Sequence, residues 1–504
     1  MAYASTTKTQ TYWAAIVDCT VKNLDANIWS ESYDLSLPLQ IPLANSRSLV
    51  CEEVVRAIPG RRYVCRGTYD GKPVFIKLFS MSSQAKREWN NEQQGIKELK
   101  AAGVPAPEII YSDTLSDLGT HIVVFTELLG AESARERWEN SNETARQMLL
   151  MQLVELISRH HAAGIRQTDF HLLNFIFSED ILYTLDAADI VKSSSALSRH
   201  DSMQGLADLL GLFPKDYDAQ LTSLYEHYWT CRETNTDNDE LNALKQQIAS
   251  TRDYKLRKYL DKTYRTCSAF VANKSWSKFS VYRRDAKNSA LQELIKNPDA
   301  GQRNIIKAGN TCTVSLLETP QQKLVCKRYN IKNAWHGLMR AFRVSRASRS
   351  WRNAHRLEKF YIATPQPLAL IEQRFGPLRH KAWLFMSYID GISAHDFFRD
   401  ESKADQQGIA ASQFASLFGK MVQARLSHGD MKATNFIFSN DELFVIDLDS
   451  MQQHDSDEHF AAAFRIDMQR FMRNWDELPD VAALFIEQLS TTAAAEFLPA
   501  ATKG

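Results

Sequence analysis

Two stretches decide how this chain is read: Asp169–Asp186, DFHLLNFIFSEDILYTLD, and Asp430–Asp447, DMKATNFIFSNDELFVID. The pentapeptide NFIFS is identical in both. In each, an Asn follows the first Asp by five residues, and a second Asp follows that Asn by twelve. The two frames lie 261 residues apart, so the chain carries an internal repeat. The repeat extends upstream. RQMLLMQLVELISRHHAAGI and ASQFASLFGKMVQARL precede the two frames with helical apolar spacing. HIVVFTELLG (121–130) and AWLFMSYIDG (382–391) read as apolar strands running into a glycine turn. Further upstream, VFIKLF (74–79) and LVCKRY (324–329) are strand-like runs, each with one central lysine.

Bulk properties frame this repeat. The 504 residues exceed one hydrophobic core and predict two or three domains. Sixty basic residues balance sixty acidic ones, so net charge gives no nucleic-acid signal. The seven cysteines form no CxxC pair and read as free thiols of a reducing compartment. MAYASTTKTQTYWAAIVDC is not patterned as a signal peptide, and no apolar run reaches membrane-spanning length. A soluble, cytoplasmic protein is expected. The expected organisation is an extension (1–45), a first domain (46–240), a polar helical connector (241–267) and a second domain (268–504).

Each frame supplies what phosphoryl transfer requires: groups that hold ATP phosphates, ligands for metal ions and a base near the acceptor hydroxyl. In the second copy, HGDMKATN places Asp430 as the base, with Lys432 beside the transferring phosphoryl group. Asn435 and Asp447 are the expected Mg2+ ligands, and Lys327 the phosphate lysine. Gly309, in KAGNTCTV, is a candidate for the phosphate-covering turn. In the first copy, Asp169, Asn174, Asp186 and Lys77 take the same places, and Gly67, in CRGTYDGK with Gly71, is the candidate turn. Gln167 stands where the second copy has His428, and His171 where it has Lys432.

The phosphate lysine of an active kinase pairs with a helix glutamate. Glu88 and Glu92 lie one turn apart in KREWNNEQQGIKEL, and either could serve Lys77. The second copy has SRSWRNAHRLEKF there, with Glu358 as its nearest acid. Asp189 and Asp449, just past the two frames, read as turn formers.

HGDMKATNFIF with FVIDLDS, and QTDFHLLNFIF with TLDAAD, resemble the bacterial lipopolysaccharide core kinases, the heptose and Kdo kinase group. The basic stretch KRYNIKNAWHGLMRAFRVSRASRSWRNAHRL and the following ATPQPLAL are similar to the same group. The likeness covers roughly 50–230 and 268–490. It implies an α+β fold with two tandem bilobal protein-kinase-like domains, each a small β-rich lobe and a larger helical lobe. It also implies ATP and Mg2+ as cofactors, and phosphorylation of a heptose or Kdo hydroxyl at the cytoplasmic face of the inner membrane. Trp335, Leu338, Met339 and Phe342 share one helical face amid Lys332, Arg340 and Arg343. The segment 332–356 therefore suits an anionic, lipid-linked acceptor and the membrane surface beside it. Two alternatives stand beside this: a pseudokinase scaffold in one half, and an aminoglycoside-type small-molecule phosphotransferase.

Overall fold

The structure is a computed structural model and describes residues 22–23, 26–29, 35, 37–43, 47–58, 60–301, 304–309, 312–330 and 343–499. The chain divides into two compact units, Met1–Arg252 and Asp253–Gly504. The polar stretch read as a connector is helical through Lys262, within the helix Asn238–Lys262.

Each unit joins a twisted sheet to a helical part, which is the expected α+β architecture. In the first unit, Ser48–Ile58, Arg62–Tyr69, Lys72–Ser80, Thr120–Thr126 and Ile109–Leu115 lie side by side in that order. The second unit repeats the five with Asn304–Ala308, Cys312–Glu318, Lys323–Tyr329, Leu378–Ser387 and Pro367–Phe375. The two sheets are extended at opposite edges. Leu39–Pro42 pairs with Ser48–Ile58 in the first, so that sheet starts within the stretch read as an extension. Lys278–Arg283 pairs with Pro367–Phe375 in the second.

The identical NFIFS segments serve the same hairpin in both units. Phe175 and Phe177, like Phe436 and Phe438, alternate inward onto buried apolar clusters, as strand periodicity requires. Glu179–Asp180 and Asn440–Asp441 close the hairpins with positive φ at both residues, the signature of a type I′ turn. The final serines tie each hairpin to the glycine turn upstream. Ser178 Oγ donates to Leu129 O (2.8 Å), and Ser439 Oγ to Asp390 O (2.7 Å).

The helix behind the lysine strand begins at a serine cap in both units. Ser82 caps Ser83–Ala101, and Ser345 caps Arg346–Lys359, each accepting from a backbone amide three residues on. In the first unit, Gly95 lets this helix touch the turn after Asp186. A Cβ there would lie 2.0 Å from Ala187 O.

Candidate active site

The lysine strands bring the expected phosphate lysines to the expected metal aspartates. Lys77 Nζ lies 3.1 Å from Asp186 Oδ1, and Lys327 Nζ lies 2.5 Å from Asp447 Oδ1. Both aspartates adopt left-handed backbone, φ 52° and 60°, which non-glycine residues adopt chiefly where the surrounding structure enforces it. Burial opposes both charges, but Lys77 holds the Asp186 carboxyl, and Lys327 the Asp447 carboxyl, below the usual range. Burial likewise works against Lys327, yet Tyr329 and Asp447 hold its ammonium above the ordinary lysine value.

The catalytic-loop residues converge on the same clefts. Asn174 Nδ2 donates to Asp169 O (3.1 Å) and Asn435 Nδ2 to Asp430 O (2.8 Å). Each asparagine also accepts, through its backbone carbonyl, from the amide before the metal aspartate: Leu185 N (2.8 Å) and Ile446 N (2.9 Å). This ladder joins the two aspartates of the frame through the asparagine in each unit.

The lysine partner in the first unit is Glu92, whose Oε1 lies 2.8 Å from Lys77 Nζ and whose residue is 1% exposed. Glu88, the other candidate, pairs with Arg61 instead. The two glutamates sit one turn apart, and the helix packs against Ala187 at Gly95, three residues past Glu92. In the second unit Glu358 pairs with Arg283 (3.0 Å) and His355 (2.8 Å), away from Lys327. The charge near Lys327 is organised differently there. Arg346, in the first turn of the serine-capped helix, binds the buried Asp449 at 2.6 Å. Asp449 is therefore an ion-pair partner as well as a turn residue.

Gly67 does not cover phosphate. It lies inside the strand Arg62–Tyr69, where its missing Cβ makes room for Val50 O, 1.9 Å from where a Cβ would sit. Gly71 closes the hairpin at the far end of that strand. Strand register decides the matter: Val64 lies opposite Lys77, so the turn nearest the lysine joins Ile58 to Arg62. In the second unit Val314 lies opposite Lys327, and Gly309 occupies the corresponding turn, its amide donating to Cys312 O (3.0 Å).

A residue with no local sequence signal completes the second site. Asp467, 2% exposed, accepts from His428 N (2.6 Å) and from Gly429 N (3.0 and 3.1 Å). One turn along the same helix, Arg470 Nη1 reaches Asp430 Oδ1 (2.6 Å), and Lys432 Nζ stands 3.2 Å from the same oxygen. His428 Nε2 meets Ile446 O at 3.0 Å. The first unit lacks this clamp. Its helix reads Ser202-Met203-Gln204 where the second reads Asp467-Met468-Gln469, and Ser202 accepts from Arg232 (3.1 Å). Gln167 is buried with neither amide atom partnered, Asp169 is exposed, and His171 accepts the Leu173 amide.

The donor set fits a hard divalent cation in the second unit. Asn435 uses its amide nitrogen on Asp430, which leaves its side-chain carbonyl oxygen as a second oxygen donor besides the Asp447 carboxylate. Mg2+ is commonly held by one or two such oxygens together with substrate phosphates. Among the described residues, no three His, Cys, Asp or Glu side chains form a closed metal cage.

The profile of the lipopolysaccharide kinase (Kdo/WaaP) family matches residues 76–212 and 300–483, more than half of the chain and one stretch in each unit. The chain belongs to this family. Membership makes it a lipopolysaccharide kinase, a phosphotransferase acting on sugar hydroxyls, and sets it apart from the aminoglycoside-type alternative. Among solved structures it is similar to WaaP in complex with acyl carrier protein. That likeness has 18% identity and a TM-score of 0.30, covering 40% of this chain and 88% of that one. No curated protein matches the chain.

The basic stretch of this family member divides at the limit of the described residues. Lys332, Trp335, Leu338, Met339, Arg340 and Phe342 lie outside them. Arg343, Arg346 and Arg349 line a cavity of about 380 Å³ with Tyr329, Arg379 and His380. Arg343 and Arg349 have no carboxylate partner among the described residues. No helix of the described chain is long and apolar enough to cross a membrane.

Proposed function

We propose that the second unit transfers the γ-phosphoryl group of ATP to a heptose or Kdo hydroxyl of the lipopolysaccharide inner core. The observation that carries this reading is the clamp by buried Asp467, absent from the first unit, which holds the His428 and Gly429 amides directly before Asp430. Asp430 takes the proton of the acceptor hydroxyl as the new O–P bond forms and the bond to the ADP oxygen breaks. Lys327 holds the donor phosphates, and Lys432 stands where charge on the moving group can be offset. Gly309 lies in the turn over these phosphates. Asn435 and Asp447 would hold Mg2+, which neutralises phosphate charge when bound.

The arginine-lined cavity supports an anionic, lipid-linked acceptor, because guanidinium groups suit phosphate and carboxylate oxygens. The same basic surface supports peripheral placement at the cytoplasmic face of the inner membrane. A regulatory reading applies to the first unit, favoured by its unclamped loop and the unpartnered Gln167 amide. There Asp169, Asn174, Asp186 and Lys77 retain the frame, with Glu92 completing it. Deleting the gene should lower phosphate on the purified core oligosaccharide by mass spectrometry, and an unchanged phosphate count overturns the acceptor assignment.

A further inference from the structure

The two clefts differ in one position that strand register makes comparable. Arg62 lies two residues from Val64, which is opposite Lys77, so Arg62 and Lys77 project from the same face of the sheet. In the second unit the equivalent position is Cys312, two residues from Val314. The Arg62 side chain is 9% exposed, and its Nη1 stands 4.0 Å from Asp186 Oδ1. Its Nε is buried with no hydrogen-bond acceptor. A guanidinium held under cover beside Asp186, with a donor unused, suits the oxygens of an anion.

The charges around the two aspartates point the same way. Asp186 faces three cations: Lys77 at 3.1 Å, and Arg62 and Arg56 at 4.0 Å each. Glu92 beside Lys77 and the nearby Asp189 balance these charges in number, but all three cations converge on the single Asp186 carboxylate. At the second site, among the described residues, Lys327 alone pairs with Asp447, and Arg346 pairs with Asp449. A divalent cation fits the second arrangement. In the first it would meet three cations already gathered on its one carboxylate ligand.

We propose that the first unit binds the phosphate chain of a nucleoside di- or triphosphate without a divalent cation, the Arg62 guanidinium standing where the second unit uses a metal. This rests on the kinase reading above for the shape of the cleft, but not on catalysis by it. The first unit thereby becomes a nucleotide-occupied regulatory module attached to a metal-dependent catalytic one.

The test is equilibrium binding of ATP to the full chain, by isothermal titration calorimetry, in Mg2+ and again in EDTA. Wild-type protein should bind about one ATP per chain in EDTA and a second only with Mg2+. Arg62→Cys, which installs the residue of the second unit, should weaken the EDTA-resistant site about tenfold or more and spare the Mg2+-dependent one. Arg62→Gln keeps polar volume without charge and should behave alike, which covers the case in which the cysteine variant melts early. Asp447→Asn should do the reverse, removing only the Mg2+-dependent site. Absence of binding in EDTA, or EDTA-resistant binding unchanged in both Arg62 variants, overturns the proposal. Loss of the Mg2+-dependent site from wild-type protein would instead overturn the catalytic reading of the second unit.

Discussion

Replacing Asp467 by alanine tests how the second catalytic loop is held. The carboxylate is almost fully buried and accepts from two backbone amides, those of His428 and Gly429. Burial pushes its pKa up, against the opposing pull of the amide hydrogen bonds, so the group is held at some cost. Alanine leaves both amides without an acceptor in a site that water does not reach. Each orphaned donor costs about 1–3 kcal/mol, giving a loss of about 2–6 kcal/mol. That is a large share of a domain stability of about 5–15 kcal/mol. The Asp467→Asn variant would retain one carbonyl acceptor and should lose about half as much. Guanidinium unfolding of the full chain measures the loss, and phosphoryl transfer should fall in step because Asp430 follows Gly429 directly. Ser202→Ala, at the matching position of the first unit, should leave transfer unchanged. An Asp467→Ala variant within about 0.5 kcal/mol of wild type, with transfer within about twofold, would refute the clamp.

Acid should weaken the first unit through two histidines. Burial pushes His160 down to about 4, and burial with His160 and Arg232 pushes His161 down to about 3. Their folded pKa values lie below the unfolded value, so the stability they confer is present above about pH 6.5 and is lost as pH falls toward 4. At pH 5 each should cost about 2 kcal/mol, read as a lower melting temperature that His160→Gln partly relieves. Gln167→Met should stabilise the first unit by about 1–3 kcal/mol in denaturant, because it removes a buried amide with no partner. Lys327→Met should lower transfer about 100- to 1000-fold, while Lys77→Met leaves it near wild type; radiolabelled ATP assays separate the two.

The tandem architecture was legible because catalytic loops carry their chemistry within some twenty residues. The Asp–Asn–Asp frame, the NFIFS hairpin and the two strand lysines all stand in local patterns. What escaped depended on register between distant segments. Glu88 and Glu92 lie on one helix face, and only the placement of that helix against the lysine strand shows that Glu92 meets Lys77 while Glu88 meets Arg61. A glycine in CRGTYDGK signals a turn or a close approach without saying which, and at Gly67 it was the approach of Val50. Asp467 lies a whole helix beyond the loop it clamps; the echo of Ser-Met-Gln against Asp-Met-Gln was its one trace in the sequence. The contrast of Arg62 with Cys312 exists only once Val64 and Val314 are placed opposite their lysines.

The most direct test of the central claim is transfer of the γ-phosphoryl group from labelled ATP to purified lipopolysaccharide inner core by wild type, Asp430→Asn and Asp169→Asn. If the second unit does the chemistry on this acceptor, Asp430→Asn should lose transfer and Asp169→Asn should retain it. Full transfer by Asp430→Asn, or no transfer by wild-type protein to any inner-core acceptor, contradicts the account.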